Sequence, residues 1–420
     1  MKFAATQQLL LAPDAAVPQR DVLLDTELMR ERLSTELGNR GMPAIDECKV
    51  ARVKYRFGAN IRVLYDLRCG QKTIKVASRT FVAKRLSEIR EQSNAANGAN
   101  SMPDFLDESL LAAFWIFPKD RKISNLNLFF VVPESLAIQG HVWETGRVVA
   151  YAPEKCATVE CIDDKGQIFA YAKVFAGHAG GSISGTYERL RELNVRLPSV
   201  LRYSALDRTL VLEAVKGLRL ADLDESPASV YRKLGCSIAE LHQVSPPADL
   251  PRFNRLETSE LKRSLQTIEK ARPDVAVQAA NLVKKITEYP MSDVPPVCLH
   301  GDVHPKNAIW NDGAVTLIDL DQASSGDPAA DIGSFLAGLH YKECVGQMTA
   351  ETRTNSSKSF FAGYEEIRPL PSENSLRRNT AAALFSERAL RAITRVRVEG
   401  LENMSRILST SENILRVMDR

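Results

Sequence analysis

At 420 residues the chain is too long for one ordinary hydrophobic core and implies two or three domains. A hydrophobic content of 44% with 25% charged residues is globular, and 55 basic against 52 acidic residues leave no broad field for nucleic acid or an anionic membrane. Seven cysteines without a C-x-x-C pair argue against a disulfide framework and a zinc site, and for a reducing cytosol.

The first stretch, MKFAATQQLLLAPDAAVP, mimics a signal peptide only in outline. Gln7-Gln8 interrupt it, so it reads as a tail, and no apolar run approaches the ~20 residues that span a bilayer. Charges and leucines at helical spacing from Val22 to Gly38 predict an amphipathic helix. Val50–Arg56 and Ile61–Arg68, rich in β-branched and aromatic residues, predict strands parted by Phe57-Gly58-Ala59-Asn60, and a third strand is expected near Thr73–Ala77. The polar, aperiodic run Ser93–Ser101 reads as a mobile loop.

The strand pattern then recurs. Without a gap, Tyr55 falls on Tyr151, Val63 on Val159 and Gln71 on Gln167, a weak repeat at a fixed offset. Gln167–Phe175 reads as the third strand of the second copy, with Ala170, Ala172 and Val174 on one face and Phe169, Tyr171, Lys173 and Phe175 on the other. In that match Lys173 meets Ala77. Gly177–Gly185 reads as a flexible entry to a helix over Tyr187–Leu193. Strands follow at Val200–Ser204 and Thr209–Val215, ending in Glu213-Ala214-Val215-Lys216-Gly217. Beyond them Ala228–Gln243 has a 3.6 period, and Leu256–Tyr289 is helical with a break at Arg272-Pro273.

Val297–Gly333 carries the chemistry. Asp312-Gly313 between two apolar runs predicts a hairpin, because a tight primed turn needs positive φ. Ile309 then faces Thr316 and Asn307 faces Ile318, with Asp319 one residue further on. If the strand end bends there, Asn307 and Asp319 can share a hard cation such as Mg²⁺ through oxygen, and Asp302 can face the same point. After Gly333 the chain is helical over Ser334–Tyr341, Ser359–Glu366 and Ala381–Val398, with loops at Thr352–Lys358 and Pro369–Asn374. Arg388, Arg391 and Arg395 share a face of the last helix and read as a solvated stripe, with contact to an anionic substrate group as the other reading.

His300-Gly301-Asp302, four residues, Asn307 and then Asp319 resemble the catalytic loop and metal-binding Asp of kinases. The His-Gly-Asp form and Gly326-Asp327-Pro328-Ala329-Ala330-Asp331 are similar to the aminoglycoside phosphotransferases and related small-molecule kinases. Protein kinases carry Arg in place of Gly301. The resemblance implies an α+β, protein-kinase-like bilobal fold with a β-rich N-lobe, a helical C-lobe and an N-terminal accessory lobe that is a degenerate N-lobe repeat. Domains of 1–140 (accessory), 141–215 (ATP-binding) and 216–420 (catalytic) follow. It also implies transfer of the ATP γ-phosphoryl group to a small-molecule hydroxyl. From Lys216 onward 26 basic and 27 acidic residues leave no acidic excess to hold a polycation, so a sugar or related metabolite is the first choice of acceptor.

Carried over residue by residue, the resemblance makes Asp302 the base or orienter, Asn307 and Asp319 the Mg²⁺ ligands, and Lys173 the lysine on the phosphates. Glu188 is then its partner, with Glu192 as second choice. The link at Glu213 and Val215 corresponds to the backbone that receives adenine. Asp321 is at best a secondary metal ligand. His300 and Asp331 brace the loop, His242 is a packed or capping histidine, and His304 has no assigned role. The glycine-rich phosphate loop is missing, since Pro153-Glu154-Lys155-Cys156 fills that turn. Neither nucleic acid nor membrane is an expected partner. Two further readings stay open: a catalytically inactive nucleotide-binding scaffold and an aminoglycoside-modifying kinase.

Overall fold

The computed structural model describes residues 10–95, 101–129, 132–223, 228–288 and 294–416. Part of the expected N-terminal tail and residues 96–100 of the expected loop fall outside them. The chain is mixed α+β, as expected, and its contacts divide it into two compact units. One holds residues 1–181, 201–212 and 394–396, and the other holds 182–200, 213–393 and 397–420.

The first unit begins with helices α1 (Arg20–Leu24) and α2 (Thr26–Gly38). The single expected helix is broken because Asp25 leaves helical geometry and caps α2, accepting from the N–H groups of Glu27 and Leu28. Strands β1 (Glu47–Arg56), β2 (Asn60–Cys69), β3 (Lys72–Thr80), β4 (Phe105–Asp107) and β5 (Ala112–Ile116) form a sheet ordered β1-β2-β3-β5-β4. Helix α3 (Ala83–Ala95) follows the third strand. The same plan recurs. Strands β6 (Thr145–Ala152), β7 (Cys156–Ile162), β8 (Ile168–Phe175), β9 (Val200–Ser204) and β10 (Thr209–Glu213) are ordered β6-β7-β8-β10-β9, and the third is followed by α4 (Ala179–Glu192), most of which belongs to the second unit. Leu64 and Ala77 of the first sheet share one core cluster with Tyr151, Ala157, Val159 and Val174 of the second.

The first turns of the two copies correspond residue by residue. Tyr55 pairs with Ile61 and Arg56 with Asn60; Tyr151 pairs with Ala157 and Ala152 with Cys156. Gly58 and Glu154 both take positive φ. Asp14 accepts from the Tyr55 hydroxyl at 2.6 Å and the Gly58 N–H at 2.8 Å. Asp120 repeats this with the Tyr151 hydroxyl at 2.7 Å and the Glu154 N–H at 2.9 Å.

The ungapped alignment fails one hairpin later. Arg62 pairs with Arg79, and its counterpart Thr158 pairs with Lys173, because the second β-hairpin is two residues shorter. Lys173 therefore corresponds to Arg79 and not to Ala77. The ring contacts agree, since Arg79 lies 5.4 Å from the Phe81 centroid and Lys173 lies 5.8 Å from that of Phe175. The expected flexible run at Gly177–Gly185 is helical from Ala179, and side chains on Gly180 or Gly181 would meet the Tyr203 ring.

The second unit is mostly helical. Short strands β11 (Leu218–Arg219), β12 (Arg252–Phe253), β13 (Val297–Leu299), β14 (Ala308–Asn311), β15 (Ala314–Leu317) and β16 (Ser324–Gly326) form two three-stranded sheets. Around them run α5 (Ala228–Gln243), α6 (Thr258–Ala271), α7 (Ala276–Thr287), α8 (Ala329–Cys344), α9 (Ala350–Glu365) and α10 (Glu373–Ala383). The expected loop at Thr352–Lys358 belongs to α9, whose start is capped by Thr349 accepting from the Thr352 N–H. The last expected helix is discontinuous. A π-helical turn occupies Leu384–Ala389 before α11 (Leu390–Thr394), α12 (Val398–Glu402) and α13 (Met404–Arg416). Arg388 consequently leaves the solvated stripe and is 8% exposed, with Nη2 donating to Ser334 O at 3.2 Å. No helix is long and apolar enough to cross a membrane among the described residues.

Candidate active site

Buried β13, paired with β16 from Val297↔Gly326 to Leu299↔Ser324, delivers the chain to the loop that begins at His300. The His300 N–H donates to Asp331 Oδ2 at 2.7 Å and the Gly301 N–H donates to Oδ1 at 2.9 Å. His242 Nε2 lies 3.2 Å from the same carboxylate, and its Nδ1 lies 2.8 Å from the Tyr364 hydroxyl. Burial alone would push the Asp331 carboxyl up, but the His242 bond, the imidazoles of His242 and His300 and the backbone donors hold it below its ordinary value. Gly301 has φ +80°, and a Cβ there would fall 2.0 Å from the Gln322 carbonyl oxygen. Glycine is the residue that permits this approach. His300 donates from Nε2 to Ile318 O at 3.0 Å and accepts the Asp302 N–H on Nδ1 at 3.3 Å. His300 and Asp331 thus brace the loop as expected, and His242 is a packed histidine, buried against Asp331 and Tyr364.

The hairpin has the expected register, with Ile309 facing Thr316 and Asp312-Gly313 in the turn at positive φ. The Ile318 N–H donates to Asn307 O at 2.9 Å, which sets Asn307 opposite Ile318. Asn307 Nδ2 donates to Asp302 O at 3.0 Å and to Asp302 Oδ2 at 3.3 Å, so its Oδ1 is the atom left for a cation. Asp319 adopts φ +64°, the bend that strict strand alternation lacks. Among the described residues no group of three or more His, Cys, Asp or Glu is placed to hold a metal ion. The donor set of one amide oxygen and one carboxylate suits Mg²⁺, which keeps water and phosphate oxygens in its shell.

The other expected residues are placed as follows. Lys173 is half-buried on β8 opposite Thr158. Glu188 and Glu192 are exposed on α4, whereas Tyr187 is buried and its hydroxyl accepts the Leu320 N–H at 3.2 Å, one residue past Asp319. No periodicity singled out Tyr187, because its partner lies 133 residues away. The Glu213 N–H donates to Ser199 O at 2.9 Å and its carboxylate accepts from the Ser199 hydroxyl at 2.7 Å. Val215 is half-buried in the link that follows β10. Asp321 is half-buried beside the bend.

The flank beyond Asp302 is cationic. His304 Nδ1 accepts the Lys306 N–H at 3.1 Å, and burial with the charges of Arg388, Lys306, Lys342 and Arg397 presses its pKa to about 3. Glu387, which could offset them, pairs with Arg255 and accepts from the Ser334 hydroxyl at 2.7 Å.

Residues 184–370 match the sequence profile of the APH phosphotransferase enzyme family, the stretch that holds the whole loop and hairpin. The resemblance read from His300-Gly301-Asp302 is borne out over that stretch. No curated protein sequence matches the chain significantly. Among solved structures, the chain is similar to the spectinomycin phosphotransferase APH(9)-Ia in complex with ADP and spectinomycin (12% identity, TM-score 0.48, covering 66% of this chain and 94% of that one). It is also similar to a choline/ethanolamine kinase family protein from Mesorhizobium loti (11%, 0.48, 69% and 92%). A third is the amicoumacin kinase hAmiN in complex with AMP-PNP and Ca²⁺ (14%, 0.46, 63% and 88%).

Proposed function

We propose that the protein is an ATP- and Mg²⁺-dependent kinase of a small-molecule hydroxyl, with a sugar or related metabolite as acceptor. The observation that carries this is the Asp302–Asn307 pair, fixed by Asp331 below and by a hairpin that bends at Asp319. Asn307 Oδ1 and the Asp319 carboxylate would hold Mg²⁺, which when bound neutralises phosphate charge. Lys173 would meet the phosphates, and the Val215 backbone, with the carbonyl of Glu213, would meet adenine. Glu188 keeps its proposed role as partner of Lys173, though its exposure on α4 makes it the weakest member of the set.

Asp302 accepts the proton of the acceptor hydroxyl, or orients that hydroxyl, on one carboxylate oxygen while Asn307 steadies Oδ2. Phosphoryl transfer asks for positioning and charge, with little covalent help from the protein. In this reading residues 1–140 are accessory, 141–215 take the nucleotide and 216–420 take the acceptor.

The cations of Lys306, Lys342, Arg388 and Arg397 argue against a polycationic acceptor, which needs carboxylates to steer it. Magnesium-dependent ADP release, measured with panels of sugars, hydroxy acids and aminoglycosides, tests the reading. Stimulation by a sugar is the expected result. Efficient turnover of aminoglycosides with all other compounds inert would overturn the choice of acceptor, and no turnover with any would favour the inactive scaffold.

A further inference from the structure

Glu154 occupies a position where its counterpart in the first sheet is glycine. Both residues sit at the same point of a β-turn, Gly58 with φ +75° and Glu154 with φ +63°, and both give their N–H to an anchoring aspartate. An L side chain at such φ is disfavoured, so it persists where its surroundings fix it. The surroundings are three arginines. Arg121 donates from Nε to Oε1 at 2.8 Å and from Nη2 to Oε2 at 3.0 Å. Arg62 on β2 donates to Oε2 at 3.0 Å, and Arg79 on β3 donates to the same oxygen at 2.5 Å.

The Glu154 side chain is 5% exposed, and burial would raise its pKa, but the Arg121 bonds and the charges of Arg79, Arg121 and Arg62 bring it below the usual carboxylate value. Arg79 stands in the first sheet where Lys173 stands in the second. In the proposed function Lys173 meets the nucleotide phosphates, whereas its counterpart Arg79 meets an anion supplied by the chain itself.

We propose that this socket is a clamp. The first sheet holds the β6–β7 turn in one conformation, and Glu154, Arg62, Arg79 and Arg121 are positioning residues for nucleotide binding. This rests on the proposed function, in which the β6–β7 turn lies over the nucleotide phosphates as the first turn of a kinase sheet does. A glycine-rich turn reaches phosphate through backbone freedom and loses that freedom on binding. The turn Pro153-Glu154-Lys155-Cys156 has none to lose, because its carboxylate is anchored at both oxygens and its N–H is anchored on Asp120. The missing glycine pattern and the extra sheet then have one explanation.

The test uses the full chain with Glu154→Gln, which removes the charge and keeps the shape, and Arg79→Lys, which keeps the charge and loses the fork. Amide hydrogen exchange over residues 152–157 and the Kd for Mg·ATP are measured for each, with kcat on whichever acceptor the panel identifies. Both variants should exchange faster at the turn than the wild type. Glu154→Gln should bind Mg·ATP about tenfold more weakly, with kcat at saturating ATP within about threefold of wild type and Arg79→Lys in between. If Glu154→Gln does not fold, Arg79→Lys decides alone. Unchanged turn exchange, or an unchanged Kd, in a folded variant of a nucleotide-binding wild type overturns the clamp and leaves the proposed function standing. A wild-type chain that takes no Mg·ATP overturns both.

Discussion

Gly301→Ala tests the catalytic loop at its tightest point. Alanine at φ +80° carries a left-handed penalty of about 1 kcal/mol. The added Cβ would lie 2.0 Å from the backbone oxygen of Gln322, which cannot rotate away as a side-chain tip could. Restoring an ordinary contact requires the loop or Gln322 to retreat by about 1.4 Å, an overpacking cost of about 1–3 kcal/mol. The expected destabilisation is therefore about 2–4 kcal/mol. A shift of that size also moves Asp302 and Asn307 relative to the acceptor, and turnover should fall by about 10²-fold.

Gly313→Ala supplies the control. Gly313 has φ +83° and nothing within 4 Å of a built Cβ, so it carries the backbone penalty of about 1 kcal/mol without the clash. Urea melts with equal m-values, together with steady-state rates at saturating substrates, measure both effects. The reasoning is wrong if Gly301→Ala costs no more than Gly313→Ala and turns over at the wild-type rate.

Asp302→Asn is nearly isosteric and should fold and bind Mg·ATP, yet lose turnover by about 10²-fold or more; near-full activity in steady-state kinetics would remove Asp302 from its role. Asp319→Ala should abolish the gain in ATP affinity brought by Mg²⁺, since one amide oxygen cannot hold the ion, and titrations with and without Mg²⁺ check this. His304 should make stability depend on acid. Its pKa is about 3 in the fold against 6.5 for the free side chain, so the unfolded chain takes up the proton first as pH falls. Stability is then full above 6.5 and declines toward 3, by about 2 kcal/mol at about pH 5. His304→Gln should flatten that part of the profile in urea melts, and parallel losses in both proteins would contradict the assignment.

What the sequence revealed and what it hid follow from the range of the forces involved. The Asp312-Gly313 hairpin was readable to the residue, because a two-residue turn fixes register locally and Asn307 then lands opposite Ile318. The repeat was readable in its first hairpin and misread in its second, where a two-residue shortening moved Lys173 from Ala77 onto Arg79. A pattern of identities cannot detect such a slip when the identities lie mostly before it. Gly301 was visible as a motif residue, but its cause was not. The oxygen it must clear belongs to Gln322, brought there by the hairpin. On an unbroken α-helix Arg388 shares a stripe with Arg391 and Arg395, but it lies within the π-helical turn at Leu384–Ala389 and is buried. Glu154 gave no signal at all, since its partners lie 33, 75 and 92 residues away.

The paired turns at Asp14 and Asp120 amount to an internal control within one polypeptide. Both sheets keep an aspartate, a tyrosine hydroxyl and a turn residue of positive φ, tied together by bonds of nearly equal length. Those groups are what such a sheet requires in order to stand, whatever it binds. The residues that differ between the copies, glycine against glutamate in the turn and arginine against lysine on the third strand, are free of that requirement. An engineer wishing to graft a new ligand onto either sheet would leave the three shared groups alone and vary only the positions at which the copies already disagree.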